Sequence, residues 1–273
     1  MVFEQKVRVD ISKVNANADI TNKGMLSMLE NIACMHSDEA KFGIREIPIT
    51  HLSWVQLNWR VQIIRRPRYG EVVTIKTWVH DTTKVSTLRD FEVLDENNKQ
   101  ICIATTRWTL TNIDTQSITK IPEDVMKRYS SDDLHIMPGF EFKKLKEPDT
   151  FSKEYTYTTQ RRDIDVNKHM HNLNYLDLAY ETLPEDVYNN AVLQGNDFNN
   201  IEIMYKTAIR LGDTSRCLYS FDGEKHIVTI KGMDEKTLHC IVELWWGSNS
   251  SFSFTKQCIF CVFCFRPPTS YKL

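Results

Sequence analysis

Between Arg161 and Asn172 the chain reads Arg-Arg-Asp-Ile-Asp-Val-Asn-Lys-His-Met-His-Asn, its densest run of groups able to move protons or donate hydrogen bonds. The run falls where a strand-like segment ends and a helical one begins. Two readings share that place. In the first, Asp or Asn ahead of a helix satisfies orphan backbone N–H groups, worth about 1 kcal/mol. The second is chemical: a helix N-terminus presents free N–H groups and partial positive charge, which stabilise an oxyanion forming on a bound carbonyl. Histidine as a residue type titrates near neutrality, so His169 is the candidate proton carrier. Asp165 would orient it or hold water, and Asn167 could donate its amide to a carbonyl or to water. The chemistry these residues suit is hydrolysis at a carbonyl group.

The elements around the run come twice. Residues 3–10 suit a strand, and Met25, Met28, Leu29, Ile32, Ala33, Met35 and Ala40 follow helical spacing over about 22–41. Strand-like runs follow at about 52–66, 70–81, 84–95 and 99–113. After a polar, Pro- and Gly-punctuated stretch the pattern restarts with a strand at 154–162, a helix at about 170–183, and runs near 199–211, 214–222, 226–232 and 236–246. Asn22-Lys23-Gly24-Met25 matches Asn167-Lys168-His169-Met170 at an offset of 145, and Tyr69-Gly70-Glu71 matches Leu211-Gly212-Asp213 at 142. Two matches on equivalent elements argue for a duplicated unit. On this alignment Asp19 and Asn22 could cap the first helix, and Gly24 stands where the second copy has His169. The single titratable site then lies in the second copy. A strand, a helix and four strands must bury the helix against the concave face of their own sheet. The expected class is α+β, with domains at 1–128 and 154–246, a linker at 129–153 and an atypical tail at 247–273.

The whole chain has 273 residues with 34 Lys+Arg against 36 Asp+Glu, a formal charge of −2. That balance excludes a disordered chain and removes the global electrostatic case for nucleic-acid binding. Any polyanionic partner needs a local basic patch. The N-terminus reads as a first strand with no targeting segment, and Cys34, Cys102, Cys217 and Cys240 sit singly in apolar stretches. The longest apolar run, Cys258 to Phe265, has eight residues against about 20 needed to span a bilayer. A cytoplasmic protein without a stable membrane span is expected.

The succession Trp54-Val55 to Trp78-Val79 with Arg66-Pro67-Arg68-Tyr69-Gly70-Glu71-Val72-Val73, then Arg89-Asp90-Phe91, Arg107-Trp108 and Ile121-Pro122-Glu123-Asp124-Val125, resembles the acyl-acyl carrier protein thioesterases. Asp165-x-Asn167-x-His169-x-x-Asn172-x-x-Tyr175 is similar to that family's Asp-x-Asn-x-His signature. The resemblance covers about residues 3–245. It implies two tandem hotdog units, each a long helix wrapped by an antiparallel β-sheet. It also implies hydrolysis of fatty acyl-acyl carrier protein, which frees the fatty acid and ends chain elongation, with no metal and no cofactor. Carried over by position, Asp165, Asn167 and His169 are catalytic. One position departs: where the family places Glu after Tyr-x-x, often followed by Cys in plant forms, this chain has Ala208 and Ile209. Glu202 is no obvious substitute, because six residues of extended strand span about 20 Å.

Other features carry bland readings beside the functional ones. Arg60, Arg65, Arg66 and Arg68 cluster at a strand end, with Lys143, Lys144 and Lys146 in the linker and Arg161 and Arg162 after it. They form a solvated face or dock an acidic carrier protein; Arg65, Arg66, Arg68, Lys143 and Lys144 are the docking candidates. Met25 and Trp54 pack the core or line an acyl pocket, and Asn172 is the third substrate-binding candidate. His36, His51, His171 and His239 lack partners at metal-like spacing. Cys258-x-x-Cys261-x-x-Cys264 lacks a fourth ligand. The chain is expected to be a monomeric pseudo-dimer or a homodimer. Alternatives to the leading function are an acyl-CoA thioesterase, another hotdog activity such as a dehydratase, and an acyl-binding protein weakened by Ala208.

Overall fold

The computed structural model describes residues 2–129 and 134–247. Its strands are β1 (Phe3–Arg8), β2 (Leu52–Ile63), β3 (Val72–His80), β4 (Ser86–Leu94), β5 (Gln100–Asn112), β6 (Ser117–Ile118), β7 (Lys153–Thr158), β8 (Asn200–Tyr205), β9 (Thr214–Phe221), β10 (His226–Gly232) and β11 (Leu238–Trp245). The helices are α1 (Asn22–Glu39), α2 (Ile47–Thr50), α3 (Glu123–Tyr129), α4 (Asn174–Thr182) and α5 (Glu185–Tyr188).

Period-two alternation sets the sheet faces. Val73, Ile75, Phe91, Val93, Ile203, Val228, Ile230 and Val242 are buried against the helices. All strands join one antiparallel sheet in the order β1-β3-β4-β5-β2-β8-β11-β10-β9-β7, with β6 on β5. The centre is the antiparallel pair β2 and β8, where Trp59 lies opposite Ile203 and Arg60 opposite Glu202. To either side the strands follow the same order by chain position, so the sheet repeats itself outward from that pair.

Both long helices lie on one face. Thr21 caps α1 by accepting from the Gly24 N–H at 2.9 Å, and Met25, Leu26, Met28, Leu29, Ile32 and Ala33 are buried. α4 buries Tyr175, Leu176, Leu178 and Ala179 against β7, β9, β10 and β11. This helix is shorter than its apolar spacing predicts. It starts at Asn174 rather than near 170, because Ile164 and Met170 bridge and turn residues 164–170 into a tight hairpin.

Residues 134–152 contain no helix or strand, as the linker composition predicts, yet they are packed. They cross the sheet face opposite the helices. The Trp78 indole donates to the Leu134 carbonyl at 2.7 Å, and the Ile136 N–H donates to Asp90 at 2.7 Å. Phe142 lies under Arg107, and Leu145 joins Met204, Ile227 and Ile241. The segment is a strap tied to both halves of the sheet. The atypical tail, including the Cys258, Cys261 and Cys264 run, lies outside the described residues.

Candidate functional site

β7 ends at Thr158, and a short 3-10 turn at Arg161–Asp163 carries the chain toward α4. Asp163 is 8% exposed and accepts from the Tyr157 hydroxyl and the Gln160 N–H, both at 2.7 Å, which fixes the turn. The hairpin follows. Asp165 donates its N–H to the His169 carbonyl at 2.9 Å, and Lys168 donates to the Asp165 carbonyl at 3.0 Å. Oδ1 of Asp165 accepts from the Asn167 N–H at 2.8 Å and the His169 N–H at 3.5 Å. Lys168 adopts φ +62°, an uncommon conformation for a non-glycine residue that closes the loop. Asx-type bonding thus explains Asp165 here; it caps a turn, not a helix.

The three expected catalytic residues therefore share one hairpin ahead of α4. Asn167 is exposed, and Asp165 and His169 are half-buried. Among the described residues their side chains make no hydrogen bond to one another. The hairpin is anchored outside itself: Met170 N–H donates to the Ile209 carbonyl at 2.8 Å, and Ile209 N–H donates to the Tyr175 hydroxyl at 3.1 Å. Ala208, exposed and one residue before Ile209, abuts the hairpin at the place where the resemblance implies Glu. Glu202 sits elsewhere, 8% exposed on the sheet face opposite the helices and opposite Arg60 and Glu243, so it stands apart from the hairpin.

Two neighbours escaped the sequence reading. His171 Nε2 lies 3.2 Å from a carboxylate oxygen of Glu30 on α1, which raises the imidazole pKa above its ordinary value. The Tyr205 hydroxyl donates to the Asn172 carbonyl at 3.1 Å. Glu30 is far from His171 in sequence, and no local spacing signals the pair. His171 is thus a contact between α1 and the candidate site.

The hairpin also corrects the alignment of the two halves. In the first half Val14 and Ile20 bridge, Asn15 N–H donates to the Asp19 carbonyl at 2.9 Å, and Asn15 Oδ1 accepts from the Asn17 N–H at 2.9 Å. Ala18 takes φ +63°, matching Lys168. The counterparts are Asn15 with Asp165, Asn17 with Asn167, Asp19 with His169 and Asn22 with Asn172. The offset here is 150, not 145, and Gly24 is not the partner of His169. Gly24 answers to packing, since a Cβ there would meet the Lys13 carbonyl oxygen at 2.3 Å.

The remaining candidates are scattered. Met25 is 0% exposed and belongs to the core cluster that also holds Met170 and Leu173. Trp54 packs in a separate cluster with Phe42 and Tyr129 and donates its indole N–H to the Tyr129 hydroxyl at 3.0 Å. Arg65 pairs with Glu71 at 2.9 Å and Asp95 at 3.5 Å, and Arg68 with Asp19 at 3.4 Å. Lys143 and Lys144 are exposed on the strap. Arg66 differs from the surface role expected of it. Its guanidinium donates to the Ile20 carbonyl, Asn22 Oδ1 and the Phe198 carbonyl at 3.0, 2.8 and 2.7 Å, and lies 3.6 Å from buried Asp197. These contacts point it inward, where it joins the two halves.

No helix among the described residues is long and apolar enough to cross a membrane. Family models match most of the chain: the acyl-ACP thioesterase N-terminal domain over residues 1–129 and its C-terminal domain over 146–244. Curated relatives include oleoyl-acyl carrier protein thioesterase 1, chloroplastic, of Arabidopsis thaliana, 24% identical over 70% of this chain and 58% of that protein. Palmitoyl-acyl carrier protein thioesterase, chloroplastic, of Cuphea hookeriana is 26% identical over 68% of this chain and 48% of its own length. The chain thus spans about half the length of the curated relatives it matches. Among solved structures, the 12:0-ACP thioesterase from Umbellularia californica superposes with a TM-score of 0.78 at 20% identity, covering 90% of this chain and 97% of that one. An acyl-ACP thioesterase from Bacteroides thetaiotaomicron gives 0.76 at 19% identity, covering 89% and 97%. With both halves of the family's model matched in order along its length, the chain belongs to the acyl-ACP thioesterase family.

Proposed function

We propose that this protein hydrolyses the thioester of fatty acyl-acyl carrier protein, releasing free fatty acid and ending elongation. The carrying observation is the hairpin of Asp165, Asn167 and His169, whose turn is held by backbone bonds and by Asp165 Oδ1, while no hydrogen bond among the described residues engages the side chains of Asn167 and His169. His169 takes a proton from water as the water oxygen attacks the thioester carbonyl carbon. The tetrahedral oxyanion collapses, the pantetheine sulfur leaves, and His169 returns the proton to it. Asp165 steadies the turn through Oδ1 and leaves Oδ2 for water, and Asn167 donates its amide to the carbonyl oxygen or to water. Neither metal nor cofactor enters this reaction.

The reading includes two tandem hotdog units, 1–128 and 154–246, joined by the linker and working as a pseudo-dimer. The matching hairpins and the strand order repeated outward from β2 and β8 support it. Met25 and Asn172 would serve the acyl and pantetheine ends of the substrate, with Trp54 at the far side of the first unit. Docking of the acidic carrier would fall to Arg65, Arg68, Lys143 and Lys144, since Arg66 is occupied. We take the cytoplasm as the compartment, although both plant relatives are named chloroplastic.

Ala208 favours a second reading, an acyl-binding protein with weakened turnover, because its methyl group supplies no carboxylate beside the hairpin. Parallel assays on acyl carrier protein and acyl-CoA thioesters test both. The leading reading expects faster release from the carrier, and a drop of about 10² or more in His169→Ala. An unchanged rate in that variant removes His169 from the mechanism. Chain binding without product release favours the weakened protein.

A further inference from the structure

At the edge of the sheet away from the hairpin, the end of β3 meets the strap. His80 Nδ1 lies 3.2 Å from Asp81 Oδ2, and His135 Nδ1 lies 3.6 Å from the same oxygen. One ligand atom from each of the three side chains falls within 4.8 Å of the others. A tetrahedral zinc ion with bonds of about 2.0–2.1 Å holds its ligands about 3.3 Å apart, and the separations of 3.2 and 3.6 Å to Asp81 Oδ2 are close to that.

The surroundings of the three side chains suit a cation. His80 is 3% exposed, and each of its ring nitrogens faces a carboxylate, Nδ1 toward Asp81 and Nε2 toward Asp90. Its Nε2 is 3.1 Å from Asp90 Oδ1, while Asp90 Oδ2 accepts the Ile136 N–H at 2.7 Å. A carboxylate behind a ligating imidazole is the arrangement that orients such a ligand and fixes its tautomer. Here that carboxylate also holds the segment carrying His135. A cavity of about 30 Å³ opens between His80, Asp81, Asp90 and His135. It has room for an ion or a water, and the two carboxylates give it the charge to attract a dication. Asp81 reaches it from a left-handed backbone, φ +45°.

We propose that His80, Asp81 and His135 form a divalent metal site of the zinc class, with Asp90 as the orienting carboxylate. Two imidazoles and one carboxylate are a donor set suited to Zn²⁺ or Co²⁺, and a solvent molecule completes the tetrahedron. The ion would fasten the strap to β3 and β4. It lies outside the proposed hydrolysis and would hold whether or not that reading does.

The test uses the full chain with Cys258, Cys261 and Cys264 changed to Ser, which removes competing thiolates. After stripping with a chelator, titration calorimetry with Zn²⁺ should show one equivalent bound per chain. His135→Ala should weaken that binding at least tenfold, and Asp90→Asn by about 10–100-fold through the orienting contact. Co²⁺ should give a tetrahedral visible spectrum that His135→Ala abolishes, with unchanged circular dichroism as the check on folding. Absence of a bound equivalent in the parent overturns the proposal, as does full affinity or an unchanged Co²⁺ spectrum in His135→Ala.

Discussion

The two hairpins, at residues 14–20 and 164–170, have one backbone and opposite side-chain economies. Ile20 N–H donates to the Pro67 carbonyl at 3.0 Å, as Met170 N–H does to Ile209, so Arg66 and Ala208 hold equivalent places. In the first half Arg66 fills that place and ties Ile20, Asn22 and Phe198 together, while Arg68 faces Asp19. Asn22 is 1% exposed and donates to the Tyr180 hydroxyl at 2.7 Å and the Phe198 carbonyl at 2.9 Å. The second half has Ala208 there, and His169 where the first has Asp19. One hairpin spends its neighbouring polar groups on cohesion between the halves, whereas in the other no hydrogen bond among the described residues engages the side chains of Asn167 and His169. On the proposed reading, stability and chemistry are divided between two turns of the same shape.

Breaking the cohesive side should cost most. Arg66→Ala leaves Asp197, a carboxylate whose pKa burial already raises, without its cation. Removing one partner from a buried pair costs about 3–5 kcal/mol. Denaturant midpoints should fall accordingly, with little change in midpoint for Arg68→Ala, whose pair with Asp19 is more exposed. On the chemical side, the loss expected for His169→Ala should have no counterpart in Asp19→Ala, which should keep near-parent hydrolysis. Equal losses in both would erase the contrast. Ala208→Glu sharpens it from the other direction, by placing a carboxylate beside the hairpin; a gain of about tenfold in turnover is expected. No gain would assign the site to binding.

A further effect is in acid. His36 on α1 is 1% exposed, its Nδ1 accepts from Arg89 at 2.9 Å, and burial followed by the Arg89 charge lowers its pKa to about 3. Because the unfolded imidazole takes up its proton near pH 6.5, the unfolded state binds more protons below that value. Stability linked to His36 is therefore present above about pH 6.5 and lost as pH falls toward 3. His36→Gln should flatten the acid limb of a pH–stability profile relative to the parent. His171 has the opposite sign: its pKa is raised by Glu30, so its contribution is full in acid and lost as pH rises through the raised value.

Much of the candidate site was legible because its bonds are local. Asp165, Asn167 and His169 lie within five residues, and the turn bonds from Asn167 and His169 to Asp165 follow from that spacing. Strand runs such as 52–66 and 84–95 became β2 and β4, since alternation reports which side of a strand meets the core. The helix start at 170 failed because the bridge between Ile164 and Met170 competes with helical bonding, and apolar spacing cannot register a bridge. The capping reading of Asp165 and the chemical reading of His169 coexist, since one uses backbone N–H groups and the other leaves the ring free.

The sequence by itself determined the paired order of elements, the run of residues that forms the candidate hairpin and the substitution at Ala208. Only the tertiary structure decided that β2 and β8 close one sheet, that Arg66 turns inward, and that the correct offset of the hairpins is 150. It alone brought Glu30 to His171 and His135 to His80 and Asp81. The reason is physical. Turns and faces depend on neighbours a few residues away, whereas these meetings depend on strand register and on the path of the strap, which no short window of residues contains.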